Sequence, residues 1–130
     1  MVQPNFDLLL ILQIRLVEKS IEDIKALNNN FIQELVIYIN ANISSPDLTV
    51  ETIANDLFLS RSQLYRKTKS ITGITVNEFI KKVRLEEAKK IIKIGDKKIA
   101  EVSHDVGFSS PSYFTKCFKD EYGKTPSEIR

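Results

Sequence analysis

The stretch IANDLFLSRSQLYRKTKSITG (residues 53–73) and a looser copy of it, VSHDVGFSSPSYFTKCFKDEYG (residues 102–123), decide how this chain folds. Ile53 matches Val102, Ala54 matches Ser103, Leu57 matches Val106 and Leu59 matches Phe108, all at one offset. One extra residue, Ser109, lengthens the offset by one, after which Ser60 matches Ser110, Leu64 matches Phe114 and Gly73 matches Gly123. Each copy reads as a short helix, a tight turn and a second helix. Small Ala54 or Ser103 stands where the two helices cross closely, which is the outline of a helix-turn-helix.

At about 100° per residue the second helix of each copy separates into two faces. If Leu64, Thr68 and Ile71 face inward, the opposite face centres on Ser62, Arg66 and Lys69. The same construction turns Phe114, Cys117 and Phe118 inward and leaves Ser112, Lys116 and Lys119 outside. Both outer triplets run hydroxyl, basic residue, lysine. Duplex DNA offers guanine O6 and N7 acceptors in the major groove beside dense rows of phosphate, and a short hydroxyl next to long cations suits both. Arg66 is the best guanine reader of the set, because its fork can donate twice. Lys116 reads less rigidly, Lys69 and Lys119 fit phosphates, and Arg61, Gln63, Tyr65, Ser110 and Thr115 flank the two faces, with Tyr65 or Thr115 suited to a thymine methyl.

Outward from the repeat, helix punctuation is plain. Ser60–Gln63, Thr75–Glu78 and Thr125–Glu128 match the capping box, in which a hydroxyl accepts from an N3 amide while Glu or Gln reaches back. Gly73, Gly95, Gly107 and Gly123 stand where helices should stop, and Pro111 and Pro126 suit first helical positions. These signals predict helices over 50–57, 61–71, 76–94, 98–106 and 111–122, with a last one starting at Pro126. The first motif then spans 50–73, the second 98–123, and the helix 76–94 joins them. That joining helix is about 28 Å long at 1.5 Å per residue. Major-groove segments on one face of DNA lie roughly 34 Å apart, so a strut of this length can offer both reading helices to an asymmetric site from one chain, with some bending of the DNA.

The N-terminal part is different. Leu10, Ile14, Val17, Ile21 and Ile24 repeat in alternating steps of four and three along a helix predicted from Phe6 to Leu27, like a coiled-coil seam. Asn28, Asn29 and Asn30 favour a break, which puts a domain boundary between 1–29 and 30–130. A further helix is expected over 31–42, with Leu35, Ile39 and Ile43 on one face. Two readings of the segment 6–27 stand: a homodimer seam, or a helix packing on a neighbouring domain.

Composition narrows the remaining classes. In a chain of 130 residues, 42% hydrophobic content allows a real core, and helical spacing of Leu, Ile, Val and Phe throughout makes it all-α. One cysteine forms no internal disulfide, and His104 with Cys117 falls short of a zinc site's ligands, which fits a reducing cytoplasm and indicates no metal or other cofactor. The apolar run 6–17 is broken by Asp7, Gln13 and Arg15 and is too short for a bilayer; no signal peptide is read there. Net charge is only +2, but its distribution is uneven: three basic against five acidic residues in 1–45, sixteen against twelve in 46–130, and no acid at all between Asp56 and Glu78. An enzyme is disfavoured, since no nucleophile–base pair, phosphate-cradling glycine loop or mutually perturbing carboxylates can be found. The rival reading is a helical protein-interaction or dimerisation module that does not bind DNA.

At these residues the chain resembles the DNA-binding domain of the AraC/XylS family, over roughly Phe31 to Arg130. The stretch IAEVSHDVGFSSPSYFTKCFKDEYGKTPSEIR (residues 99–130) is similar to the family signature through Gly107, Phe108, Tyr113, Phe114, Phe118, Gly123, Pro126 and Arg130. The resemblance implies a bilobed seven-helix domain, promoter binding and transcription activation with RNA polymerase as a partner. It also implies base contacts at Ser62, Tyr65 and Arg66 and at Pro111, Ser112, Thr115 and Lys116, although Pro111 has no N–H to donate. The stretch SRSQLYRKTKSITGITVNEFI (residues 60–80) resembles regulators fused to hybrid two-component sensors of Bacteroidetes. That likeness implies an upstream receiver domain, with 6–27 as linker or as the receiver's last helix, at the cytoplasmic end of a membrane-anchored sensor.

Overall fold

The structure, a computed structural model, describes residues 4–130, with side chains from Asp7 onward; the first residues of the segment 1–29 lie outside that range. Among the described residues seven helices follow one another: α1 Pro4–Ala41, α2 Val50–Asp56, α3 Arg61–Thr72, α4 Val76–Ile94, α5 Ile99–Asp105, α6 Pro111–Tyr122 and α7 Pro126–Ile129. No strand occurs among the described residues, so the all-α reading holds. The chain divides into two units, one ending at Glu34 and the other running Leu35–Arg130.

The break expected at Asn28–Asn30 is absent, because α1 continues through all three asparagines. Each asparagine lowers helix stability by at most about 0.7 kcal/mol relative to alanine, which weakens a helix without ending it. Nothing between Asn5 and Ser45 is glycine or proline, the residues that would end it. In the first unit the whole stripe Leu10, Ile14, Val17, Ile21 and Ile24 is exposed, together with Leu8, Leu9, Leu12 and Leu16 around it.

In the second unit α2 packs on α3 and α5 on α6, while α4 touches α3, α5 and α7. Ile53, Leu64, Thr68, Val76 and Ile80 are buried in the first motif and the start of α4. The second motif has a core of its own, in which Leu85, Ala88 and Ile92 of α4 meet Val102, Val106, Phe108, Phe114, Cys117 and Phe118. Its aromatics form a chain, Phe108 edge-on to Phe114 at 5.1 Å, Phe114 to Phe118 at 5.7 Å and Phe118 to Tyr122 at 4.7 Å. Such pairs add to the burial of their area. Tyr122 closes the chain by donating its hydroxyl to Glu86 of α4 at 2.8 Å, with Lys89 over its ring. Burial, then the hydrogen bond and charge of Glu86, raise its pKa well above the usual phenol value.

The turns of the two motifs are built alike. In the first, Leu57 N–H donates to Ile53 O and Leu59 N–H to Ala54 O, at 3.0 and 2.8 Å. In the second, Val106 donates to Val102 and Phe108 to Ser103, at 3.1 and 2.9 Å. The middle residue of each turn has positive φ: Phe58 at 59° and Gly107 at 94°. Gly107 stands one residue past the cap Val106, where α5 stops as its sequence position suggested, and its N–H donates to His104 O at 3.0 Å. Gly73, Gly95 and Gly123 do cap α3, α4 and α6 in the left-handed conformation.

Candidate nucleic-acid interface

The second helices of the motifs, α3 and α6, are twelve residues each. Ser60 starts α3 by accepting from Gln63 N–H at 3.1 Å, and Gln63 Oε1 accepts from Ser60 N–H at 2.8 Å, a complete capping box. Ser110 starts α6 by accepting from Tyr113 N–H at 3.1 Å, with Pro111 in the first turn, where its missing N–H costs nothing. At Thr75 and Thr125 only the hydroxyl half of the box forms, on Glu78 N–H and Glu128 N–H. A box that the usual Ser/Thr-to-Glu/Gln pattern overlooks joins Thr49 and Thr52 at the start of α2.

Both reading helices bury the face assigned to the core. Leu64 and Thr68 are buried on α3, and Phe114, Cys117 and Phe118 on α6, while Ile71 is half-buried. The opposite faces are open to solvent: Ser62, Arg66 and Lys69 on α3, Ser112, Lys116 and Lys119 on α6. Tyr65 and its counterpart Thr115 are both half-buried at the edge of these faces. The internal repeat thus extends from the turns to the pattern of exposure.

Three flanking candidates are occupied within the protein. Arg61 pairs with Glu51 of α2 at 3.1 Å, both ends largely exposed, so the pair is weak and open to exchange for a phosphate. Gln63 and Ser110 serve their helix caps, which leaves Gln63 its amide N–H groups as donors. Arg66 holds its own helix only lightly, Nε to Ser62 O at 3.4 Å, and its fork remains available. Two residues that the sequence reading did not place on the interface, Thr75 having been read there only as a helix cap, line the same surface. Ser70 and Thr75 join Tyr65, Arg66 and Lys69 around an open groove of about 630 Å³. The spacing of four from Arg66 to Ser70 was the signal that could have found the first of them.

Residues 53–130, which hold all but the first three residues of the two motifs, match the family described as helix-turn-helix domain. The chain is also similar in structure to an AraC-type DNA-binding domain regulator from Chromobacterium violaceum, with 30% identity and a TM-score of 0.74 over 81% of this chain and 93% of that one. The chain belongs to the AraC-type helix-turn-helix family of DNA-binding transcription regulators. It is also similar in structure to the DNA-binding domain of AdpA, a global transcriptional factor, in complex with a target DNA, at 25% identity, with a TM-score of 0.66 over 74% of this chain and 86% of that one. In sequence the chain is 31% identical over 107 residues to histidine kinase P4 of Formosa agariphila, covering 82% of this chain but 8% of the kinase. It spans less than two thirds of the length of the first curated relatives it matches. No helix among the described residues is long and apolar enough to cross a membrane.

Proposed function

We propose that this AraC-type domain reads an asymmetric promoter site by placing α3 and α6 in two successive major-groove segments of one duplex, and that the protein containing it activates transcription there. The observation that carries the reading is the matched pair of exposed triplets, Ser62–Arg66–Lys69 and Ser112–Lys116–Lys119, on helices whose other faces are buried. In this account Arg66 and Lys116 read bases, Lys69 and Lys119 hold phosphates, and Tyr65 and Thr115 touch base methyls at the groove edge. Ser62 and Ser112 supply short hydroxyls; Arg61, Gln63, Ser110 and Pro111 shape and flank the approach.

The role is binding and not catalysis, and a hydrolase screen of the purified protein should be blank. The exposed stripe Leu10–Ile14–Val17–Ile21–Ile24 supports homodimerisation through 6–27. The likeness to a histidine kinase supports a preceding receiver domain and a cytoplasmic place of action, with RNA polymerase as the partner of the activating complex. A mobility-shift titration at several salt concentrations tests the core of the proposal. The expected result is a shift whose affinity falls steeply with salt, as counterion release requires. A module that binds only proteins would leave the duplex unshifted.

A further inference from the structure

Asn77, Lys81 and Arg84 follow one another along α4 in steps of four and three, which sets them on one side of the helix. They line a cleft of about 370 Å³ whose opposite wall is Gly107 and Ser109 of the second turn and Tyr113 of α6. The cleft therefore runs from the point where α3 hands over to α4 to the first turn of the second reading helix. The sequence reading passed over Lys81 and Arg84 because α4 reads there as a connecting strut.

Arg84 is unusual within this cleft. Its guanidinium is half-buried, its Nε is sealed from solvent, and that Nε has no hydrogen-bond partner. Burial lowers its pKa from the ordinary guanidinium value, and the group stays a cation at neutral pH. Glu78 is the only acid lining the cleft, and no ion pair joins it to Lys81 or Arg84 among the described residues. Room for the guanidinium comes from Gly107: a Cβ there would stand 2.8 Å from Arg84 Cζ and would strike the carbonyl of Ile43. The fold thus holds a partly desolvated cation, unpaired, beside the second reading helix. A partly desolvated cation without a counterion attracts an anion that enters the cleft.

Resting on the DNA-binding reading above, we infer that Arg84 and Lys81 grip a backbone phosphate of the duplex in the stretch between the two major-groove segments, with Asn77 and Ser109 as neutral donors beside it. This contact fixes the register of the two reading helices and carries no base preference of its own.

The test measures salt dependence and a phosphate scan on the full chain. A duplex taken from a site selection is titrated with wild type, Lys81→Ala, Arg84→Met and Arg84→Lys, and with duplexes carrying single methylphosphonates at successive linking positions. Lys81→Ala and Arg84→Met should each reduce the slope of log K against log salt by about 0.9, with the preferred sequence unchanged. Arg84→Lys should keep the slope. One methylphosphonate between the two contacted segments should weaken wild type more than it weakens Arg84→Met, which keeps only Lys81 on that phosphate. Unchanged slopes in folded variants, or a scan that weakens wild type and Arg84→Met equally at every position, would overturn the inference while wild-type binding leaves the proposed function standing. Loss of salt-dependent binding by wild type itself would sink both. Should Arg84→Met fail to fold, Lys81→Ala decides by the same two measurements.

Discussion

Phe58→Gly and Gly107→Ala, made at the same step of two equivalent turns, should move stability in opposite directions. Phe58 holds φ at 59° and is 95% exposed, so its ring contributes almost no burial to the folded state. A left-handed conformation costs an L-residue about 1–2 kcal/mol, which glycine avoids. Glycine also frees the unfolded chain, which returns about 0.4–1 kcal/mol of that gain. The net is a stabilisation of about 0.5–1 kcal/mol, or an increase in Tm of a few degrees. Gly107 differs in two respects: its φ of 94° lies beyond the usual left-handed basin, and a Cβ there meets Ile43 O and the Arg84 guanidinium. Strain and overpacking together predict a loss of about 2–4 kcal/mol, a large share of an ordinary domain's stability. Urea unfolding followed by far-UV circular dichroism, with the slope m checked for constancy, measures both. If both substitutions stabilise, both destabilise, or Gly107→Ala is neutral, the reading of these turns is wrong.

Other perturbations separate the parts of the account. Arg66→Ala should lose about 1–3 kcal/mol on a specific site and relax preference at one base pair, whereas Lys119→Ala should weaken all sequences and reduce the salt slope by about one; binding curves on matched and mismatched duplexes distinguish them. Phe114→Ala, at a fully buried ring in the second core, should cost about 3–5 kcal/mol in chemical denaturation. Tyr122 has a folded-state pKa above its unfolded value, so the stability it contributes is complete below about pH 10 and is lost as pH rises beyond it. Tyr122→Phe should therefore flatten the alkaline limb of a stability-against-pH curve, while losing the Glu86 bond at neutral pH.

Helices α3, α4, α6 and α7 were legible in the sequence because their ends are marked by local chemistry: Ser60, Thr75, Ser110 and Thr125 accept from the first turns, and Gly73, Gly95 and Gly123 take the left-handed cap. The faces of α3 and α6 were legible because a helix has one period, so fixing Leu64 or Phe114 inward fixes Arg66 or Lys116 outward. Asn28–Asn30 misled because propensity is a small local term, and no glycine or proline backed it. Arg84 was missed for a different reason. Its isolation depends on Gly107, more than twenty residues further on, and on a cleft that only the packing of the second motif against α4 creates. The pairings of Arg61 with Glu51 across α3 and α2, and of Tyr122 with Glu86 across α6 and α4, likewise depend on how helices pack, since no periodicity along one helix names a partner on another.

Selection of binding sites from a random duplex pool, run in parallel with wild type, Arg66→Ala and Lys116→Ala, tests the central claim most directly. The account predicts an asymmetric two-part motif with centres one helical turn apart, about 10–10.5 base pairs, in which Arg66→Ala blurs one part and Lys116→Ala the other. Enrichment of no motif, or of one undivided motif that both variants select as wild type does, would contradict it.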